Sequence, residues 1–203
     1  MAKAIIFDIG GVLVDLDLAR CIRTFRETLG FERITELLDP CHQKGIYGEM
    51  EAGKVSADEF RAAVLAESRP GCVPADVDRA IGSLLDGVRP EKAALVNHLS
   101  QRYPLYLLSN NNPISMPLCL QAMRDAGIDT DKVIKGQFVS CEMRLLKPSP
   151  EFYQEAIRRV GLPAAEIVFV DDNRANVDGA LALGMDARYL APGQSLAEVL
   201  KDL

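Results

Sequence analysis

Three short apolar runs stand out along the 203-residue chain, and each ends in polar residues. Ala4-Ile5-Ile6-Phe7 ends in Asp8, Leu105-Tyr106-Leu107-Leu108 in Ser109-Asn110, and Ile167-Val168-Phe169-Val170 in Asp171-Asp172. Near-continuous apolar runs of this length predict strands buried on both faces, as in parallel sheets. Gly10 and Gly11 let the backbone turn directly after the first run. Ligands of open α/β sheets sit beyond the carboxyl ends of the strands. Polar groups delivered there by three strands therefore describe one candidate site.

Elsewhere the pattern changes period. Residues 17–88 contain no strand-like run and read as consecutive amphipathic helices. Leu18, Cys21, Ile22 and Phe25 fall at helical spacing, as do Phe60, Ala63, Val64 and Leu65. Ser56-Ala57-Asp58-Glu59 predicts a capping box, and Pro70-Gly71, Pro74 and the stretch 86–90 punctuate connections. From residue 91 helix and strand alternate. A helix over 91–101 precedes the strand 105–108, and one over 115–126 precedes a short strand around Val133. A helix from Pro150 to Val160 leads to the strand 167–170, and one from Asn176 to Leu183 leads to Ala187-Arg188-Tyr189-Leu190. Such alternation implies an α/β fold of βαβ units on a parallel sheet, with a helical block inserted after its first strand.

Composition narrows the classes. With 48% apolar and 26% charged residues the chain reads as an ordinary soluble globule, long enough for one α/β domain and a small satellite. A net charge of -6 with no basic cluster argues against nucleic acid or anionic membrane as partner. It does not argue against a small anionic substrate, which local groups decide. The five cysteines, Cys21, Cys41, Cys72, Cys119 and Cys141, show no paired spacing and read as free thiols in a reducing compartment. Cys119 and Cys141 read as core rather than as redox sensors. No run approaches the ~20 residues that span a bilayer, and the opening apolar stretch is too short for a signal peptide. The expectation is a cytoplasmic protein acting as a monomer or weak dimer.

An ionised carboxylate ending a buried strand is costly unless paired or metal-bound. Alone, Asp8 reads as a turn or helix cap. Asp171-Asp172, placed alike on another strand, changes that: two acidic strand ends repel unless a cation lies between them. Oxygen ligands without His or Cys suit Mg²⁺. Ser109-Asn110 can hydrogen-bond a phosphate through hydroxyl and backbone N–H, or form a plain turn. Lys147 stands before Pro148-Ser149-Pro150, which fixes the backbone ahead of a helix. An ammonium presented there can neutralise the acidic ends; a solvated lysine is the alternative. Asn176 either orients a carboxylate or caps the following helix.

The segments Phe7-Asp8-Ile9-Gly10-Gly11-Val12, Leu108-Ser109-Asn110, Lys147-Pro148 and Val170-Asp171-Asp172 with Asn176 resemble, in order and spacing, the four motifs of the haloacid dehalogenase superfamily. Motif one and Glu51-Ala52-Gly53-Lys54-Val55-Ser56 resemble most the superfamily's bacterial α-D-glucose-1-phosphate phosphatases. The resemblance implies a Rossmann-like three-layer core over residues 1–15 and 90–203 and a C1-type helical cap over 16–89. It implies a Mg²⁺-dependent phosphomonoesterase acting on a small phosphorylated molecule, a sugar phosphate such as a hexose 1-phosphate. Asp8 would be the nucleophile that becomes an aspartyl-phosphate. Ser109 and the Asn110 backbone would hold phosphoryl oxygens, and Lys147 would offset their charge. Asp172 would ligate the metal with Asp8 and the carbonyl of Gly10, Asp171 standing beside it directly or through water.

One position departs from the pattern. Most phosphatases of the superfamily carry a second aspartate two residues after the nucleophile as general acid, and this chain has Gly10 there. Loss of a positioned acid forfeits about 10²–10⁴ in rate. Either the leaving group needs little help, or His42, Glu49 or Glu51 of the cap or a water supplies the proton, or the protein binds phosphosugars without efficient turnover. The superfamily's metal-independent 2-haloacid dehalogenases also lack the second aspartate. They lack the acidic pair as well, and Asp171-Asp172 without a cation would repel a carboxylate substrate.

Overall fold

The computed structural model describes residues 2–38 and 44–203. β1 (Ala4–Phe7) is followed by the short β2 (Asp15–Leu16). Then come α1 (Leu18–Thr24), a π-helical stretch Phe25–Leu29, α2 (Ile34–Leu37), α3 (Gly45–Glu51), α4 (Ala57–Ala66) and α5 (Pro74–Gly82). β3 (Leu85–Gly87) leads to α6 (Pro90–Leu99), β4 (Leu105–Ser109), α7 (Ser115–Asp125) and α8 (Thr130–Val133). The chain ends with β5 (Ile134–Val139), α9 (Ser140–Met143), α10 (Pro150–Val160), β6 (Ile167–Asp171), α11 (Arg174–Ala182), β7 (Asp186–Tyr189) and α12 (Leu196–Val199).

Five strands form a wholly parallel sheet in the order β5-β4-β1-β6-β7. All four residues of β1 are buried, and they alternate between two apolar layers. Ile5 and Phe7 pack with Val96 of α6 and Met123 of α7. Ile6 packs on the opposite face with Phe152 of α10 and Phe169 of β6. This is the three-layer α/β architecture that the apolar runs predict.

Apolar residues of α1 to α5, among them Cys21, Phe25, Phe60, Val64 and Val77, form a third cluster of their own. The expected capping box opens α4: Ser56 Oγ accepts from Glu59 N–H at 3.2 Å, and Glu59 Oε2 accepts from Ser56 N–H at 2.8 Å.

Several elements differ from the sequence reading. β2 and β3 pair antiparallel at the two ends of the helical block, within a span read mostly as helix. Two residues carry too little pattern to announce a strand. β5 covers 134–139 rather than a short stretch around Val133, which ends α8. It is an edge strand with Lys135 and Gln137 exposed, so no continuous apolar run marks it. α11 starts two residues before Asn176, because Asn173 caps it through a 2.9 Å bond from Ala175 N–H.

Candidate active site

β1 lies between β4 and β6, so the residues that follow these strands meet at one edge of the sheet. Asp8 keeps its N–H in the ladder, donating to Val170 O at 2.9 Å, while its side chain leaves the sheet. Its Oδ1 accepts from Ile9 N–H at 2.7 Å and stands 2.9 Å from Lys147 Nζ. Lys147 Nζ also donates to Asp171 Oδ2 at 2.6 Å. Fully buried Asp171 is held further by Asn173 N–H at 2.8 Å and by Asn176 Nδ2 at 3.0 and 3.1 Å. Asn176 therefore orients a carboxylate, and the helix cap falls to Asn173.

The acidic pair splits by environment. Asp171 faces the ammonium, whereas exposed Asp172 lies over Gly11. Gly11 has φ +75°, and a β-carbon there would overlap the Asp172 carboxylate. The turn after β1 thus needs glycine twice over, for its left-handed backbone and for the space the carboxylate fills. Carboxylate oxygens of Asp8, Asp171 and Asp172 lie within 4.8 Å of one another, a group able to hold a metal ion. All three are hard oxygen donors, the set suited to Mg²⁺. Asn176 Oδ1, buried at the same cavity, has no hydrogen-bond partner; a metal-bound water would supply its missing donor.

The electrostatics of the cluster suit a cation. Burial, then the charges of Asp171 and Asp172, push the Asp8 pKa up to about 7 against the pull of Lys147. Asp172 is raised as well, by burial first and then by Asp171. Burial alone would lower Lys147, but Asp171 and Asp8 outweigh it and hold the ammonium above its ordinary value. One ammonium does not balance three carboxylates.

Ser109 ends β4 nearly buried, its Oγ making only a 3.5 Å contact with Asn110 O. The Asn110 side chain instead brackets the Lys147 backbone, accepting from its N–H at 2.8 Å and donating to its carbonyl at 3.0 Å. Asn110 thereby fixes where Lys147 leaves its loop, a role that turn composition does not reveal. Gly10 follows in the wall of the same cavity.

The cavity has a volume of about 250 Å³ and lies between the strand ends and the helical block. Asp8, Ser109, Lys147 and Asp172 face it from the sheet, and Tyr47 and Glu51 from α3. Tyr47 went unnoticed in the sequence, although it stands four residues from Glu51 on one helix face, the spacing that brings side chains together. Its hydroxyl accepts from Asn112 Nδ2 at 3.2 Å, tying α3 to the loop after β4. Among the other cap acids, Glu49 is exposed and does not line this cavity, and His42 lies outside the described residues. Four cysteines, Cys21, Cys72, Cys119 and Cys141, are free; Cys41 lies outside the described residues.

Known proteins are similar to this chain in sequence and fold. Residues 2–184 match the family model for haloacid dehalogenase-like hydrolases. A D-ribitol-5-phosphate phosphatase of Bacteroides thetaiotaomicron is 32% identical over 187 residues, 92% of this chain and 90% of that one. A HAD family enzyme of the same organism, solved as a variant with magnesium and inorganic phosphate, superposes with TM-score 0.91 at 28% identity over 98% of this chain and 99% of that one. A predicted HAD-like hydrolase of Porphyromonas gingivalis gives TM-score 0.88 at 30% identity over 100% and 97%. With the family model covering most of its length, the chain belongs to the haloacid dehalogenase-like hydrolases and is an enzyme of that family.

Proposed function

We propose that this enzyme is a Mg²⁺-dependent phosphomonoesterase cleaving a small phosphorylated sugar or sugar alcohol through an aspartyl-phosphate on Asp8. The carrying observation is the cluster of three carboxylates within 4.8 Å of one another, two of them buried against Lys147, with Ser109 beside it at the next strand end. Asp8, Asp172 and the Gly10 carbonyl would hold the cation, with Asp171 as a direct or water-mediated neighbour. When bound, Mg²⁺ lowers the repulsion between Asp8 and an anionic phosphoryl group.

The protein's own groups divide the remaining work. Asp8 attacks phosphorus as the bond to the ester oxygen breaks, and the leaving oxygen keeps the bonding pair. Ser109 Oγ and the Asn110 N–H donate to phosphoryl oxygens. Lys147 offsets charge on Asp8 and the transferred group, while Asp171, Asn173 and Asn176 keep the ammonium in place. Water then attacks phosphorus, returning the Asp8 carboxylate and releasing inorganic phosphate.

A cavity of about 250 Å³ falls below the ~300–1,000 Å³ of drug-sized ligand sites and suits a small metabolite. The sequence resemblance points to a hexose 1-phosphate, and the ribitol-5-phosphate phosphatase relative points to the ester of a primary hydroxyl. Cytoplasmic location belongs to this reading; four free cysteines favour a reducing compartment, and no helix among the described residues is long and apolar enough to cross a membrane.

A screen of phosphorylated metabolites with Mg²⁺ or with chelator tests the proposal. Phosphate release from sugar or polyol phosphates only with the cation is expected. Binding of these esters without release would favour a phosphosugar-binding protein, and chloride release from 2-chloropropionate without metal a dehalogenase.

A further inference from the structure

The position of the usual second aspartate carries no acid here. Gly10 carries no side chain, and a β-carbon built on it comes within 3.1 Å of Leu16 Cδ1. Leu16 of β2 borders the space beside Gly10, and the same leucine lines the cavity. Other proton sources around the cavity are poor. Lys147 is held charged between two carboxylates. Tyr47 lies far above the neutral range, through burial and then Glu51, and burial pushes Cys119 up to about 11.

We propose that Glu51, at the end of the cap helix α3, is the general acid that protonates the leaving-group oxygen in this chain. This rests on the phosphatase reading given above. Glu51 lines the same cavity as Asp8, and the structure ties the chain around it to the core at two points. Ser140 Oγ donates to the Glu51 carbonyl at 2.6 Å while accepting from Asn111 N–H at 3.0 Å. Two residues on, Gly53 has φ +67°, and a β-carbon there would overlap the Cys141 carbonyl. The end of α3 can approach the core this closely only as glycine. The helical block therefore presents a carboxyl group to the cavity that Gly10 also lines.

Its protonation state fits the role. Burial first, and the charge of Asp8 second, push the Glu51 pKa up to about 8 against Lys147, so the carboxyl carries a proton at neutral pH. A cation at Asp8 weakens the second cause and leaves the larger one in place. In the first step the Glu51 proton moves to the ester oxygen as the P–O bond breaks, giving the alcohol and a Glu51 carboxylate. In the second, that carboxylate takes a proton from the water attacking the aspartyl-phosphate. Phosphate leaves, Asp8 is restored and Glu51 is protonated again.

The test compares kcat/KM of wild type and Glu51→Gln, with Mg²⁺, on ribitol 5-phosphate and 4-nitrophenyl phosphate. The alkyl ester needs a proton on departure; nitrophenolate leaves without one. Glu51→Gln is expected to lose about 10²–10³-fold on the alkyl ester and to stay within about threefold on the aryl ester. Retained aryl activity also reports a folded variant. Equal loss on both esters, or loss on neither, overturns the role of Glu51. A wild type that releases phosphate from neither ester, nor from any metabolite screened, overturns the phosphatase reading and this inference together. Wild-type turnover with an unaffected Glu51→Gln leaves the phosphatase standing and removes only Glu51.

Discussion

At the scale of single residues, the site depends on where two adjacent aspartates point. Asp171 is enclosed by Lys147, Asn173 and Asn176, whereas Asp172 lies against the bare backbone of Gly11. Gly11→Ala forces a left-handed residue to carry a side chain, costing about 1–2 kcal/mol, and drives its β-carbon into the Asp172 carboxylate. The expected outcome is a lower urea midpoint together with at least about tenfold weaker Mg²⁺ binding by calorimetry, the equivalent of about 1.4 kcal/mol. Unchanged affinity in a folded variant would remove Asp172 from the metal set. Asp8, Ser109, Lys147 and the acidic doublet are conspicuous in the sequence because each interrupts a pattern, an apolar run or a proline-fixed turn. The division of labour between Asp171 and Asp172 is not, since both are the same residue type at one strand end and only packing separates them. The side-chain role of Asn110, and the tie between Asn112 and Tyr47, escaped for a related reason: the partners lie 37 and 65 residues apart in sequence.

At the scale of elements, the ribbon of β2 and β3 joins the helical block to the sheet. Arg20 of α1 clamps its far side, donating to Ser83 O at 2.7 Å and Leu85 O at 2.8 Å. Asp15 of β2 takes Lys92 Nζ at 2.8 Å and Arg89 Nε at 2.8 Å. Burial pushes the Asp15 pKa up, but the hydrogen bonds from Lys92 and Arg89 and their charges outweigh it and hold it below its ordinary 3.8. A carboxylate whose folded pKa is depressed contributes stability above its unfolded pKa and loses it as pH falls through the folded value. Wild type should therefore exceed Asp15→Asn by about 2 kcal/mol near pH 7, because buried Lys92 loses its partner, and the gap should narrow below about pH 4. Urea titrations of both proteins at the two pH values check this; a constant gap would mean that the ion pair does not set it. Such an element is hard to read from sequence. Asp15-Leu16 and Leu85-Asp86-Gly87 are too short for a period, and their pairing spans about 70 residues. Edge strand β5 blurs similarly, its exposed positions breaking the apolar run that made β1, β4 and β6 plain, whereas β7 lies one residue from the stretch 187–190 read from the sequence.

At the scale of the molecule, the sheet supplies the charged cluster and the helical block supplies the wall facing it. The two bury separate apolar clusters, with Ile114 of the loop after β4 packed into the helical one. Among the described residues, Tyr47 to Asn112 and Ser140 to the Glu51 carbonyl are polar ties between them near the cavity. A division of this kind lets one part move over the other during a reaction that must first exclude water and then admit it. The βαβ alternation and the inserted helices were visible in the sequence because periodicity is local. Which cap side chain faces Asp8 depends on docking between two clusters and is visible only in three dimensions.

In the proposed reaction Asp8, with a cation held by the acidic strand ends, performs the phosphoryl transfer. Its most direct test is phosphate release from a sugar or polyol phosphate in saturating Mg²⁺ by wild type and by Asp8→Asn. The account predicts a loss of about 10⁴-fold or more in kcat for the variant, with the fold retained by circular dichroism and the wild-type rate abolished by chelator. An Asp8→Asn protein releasing phosphate at the wild-type rate, or a wild type indifferent to chelator, would contradict it.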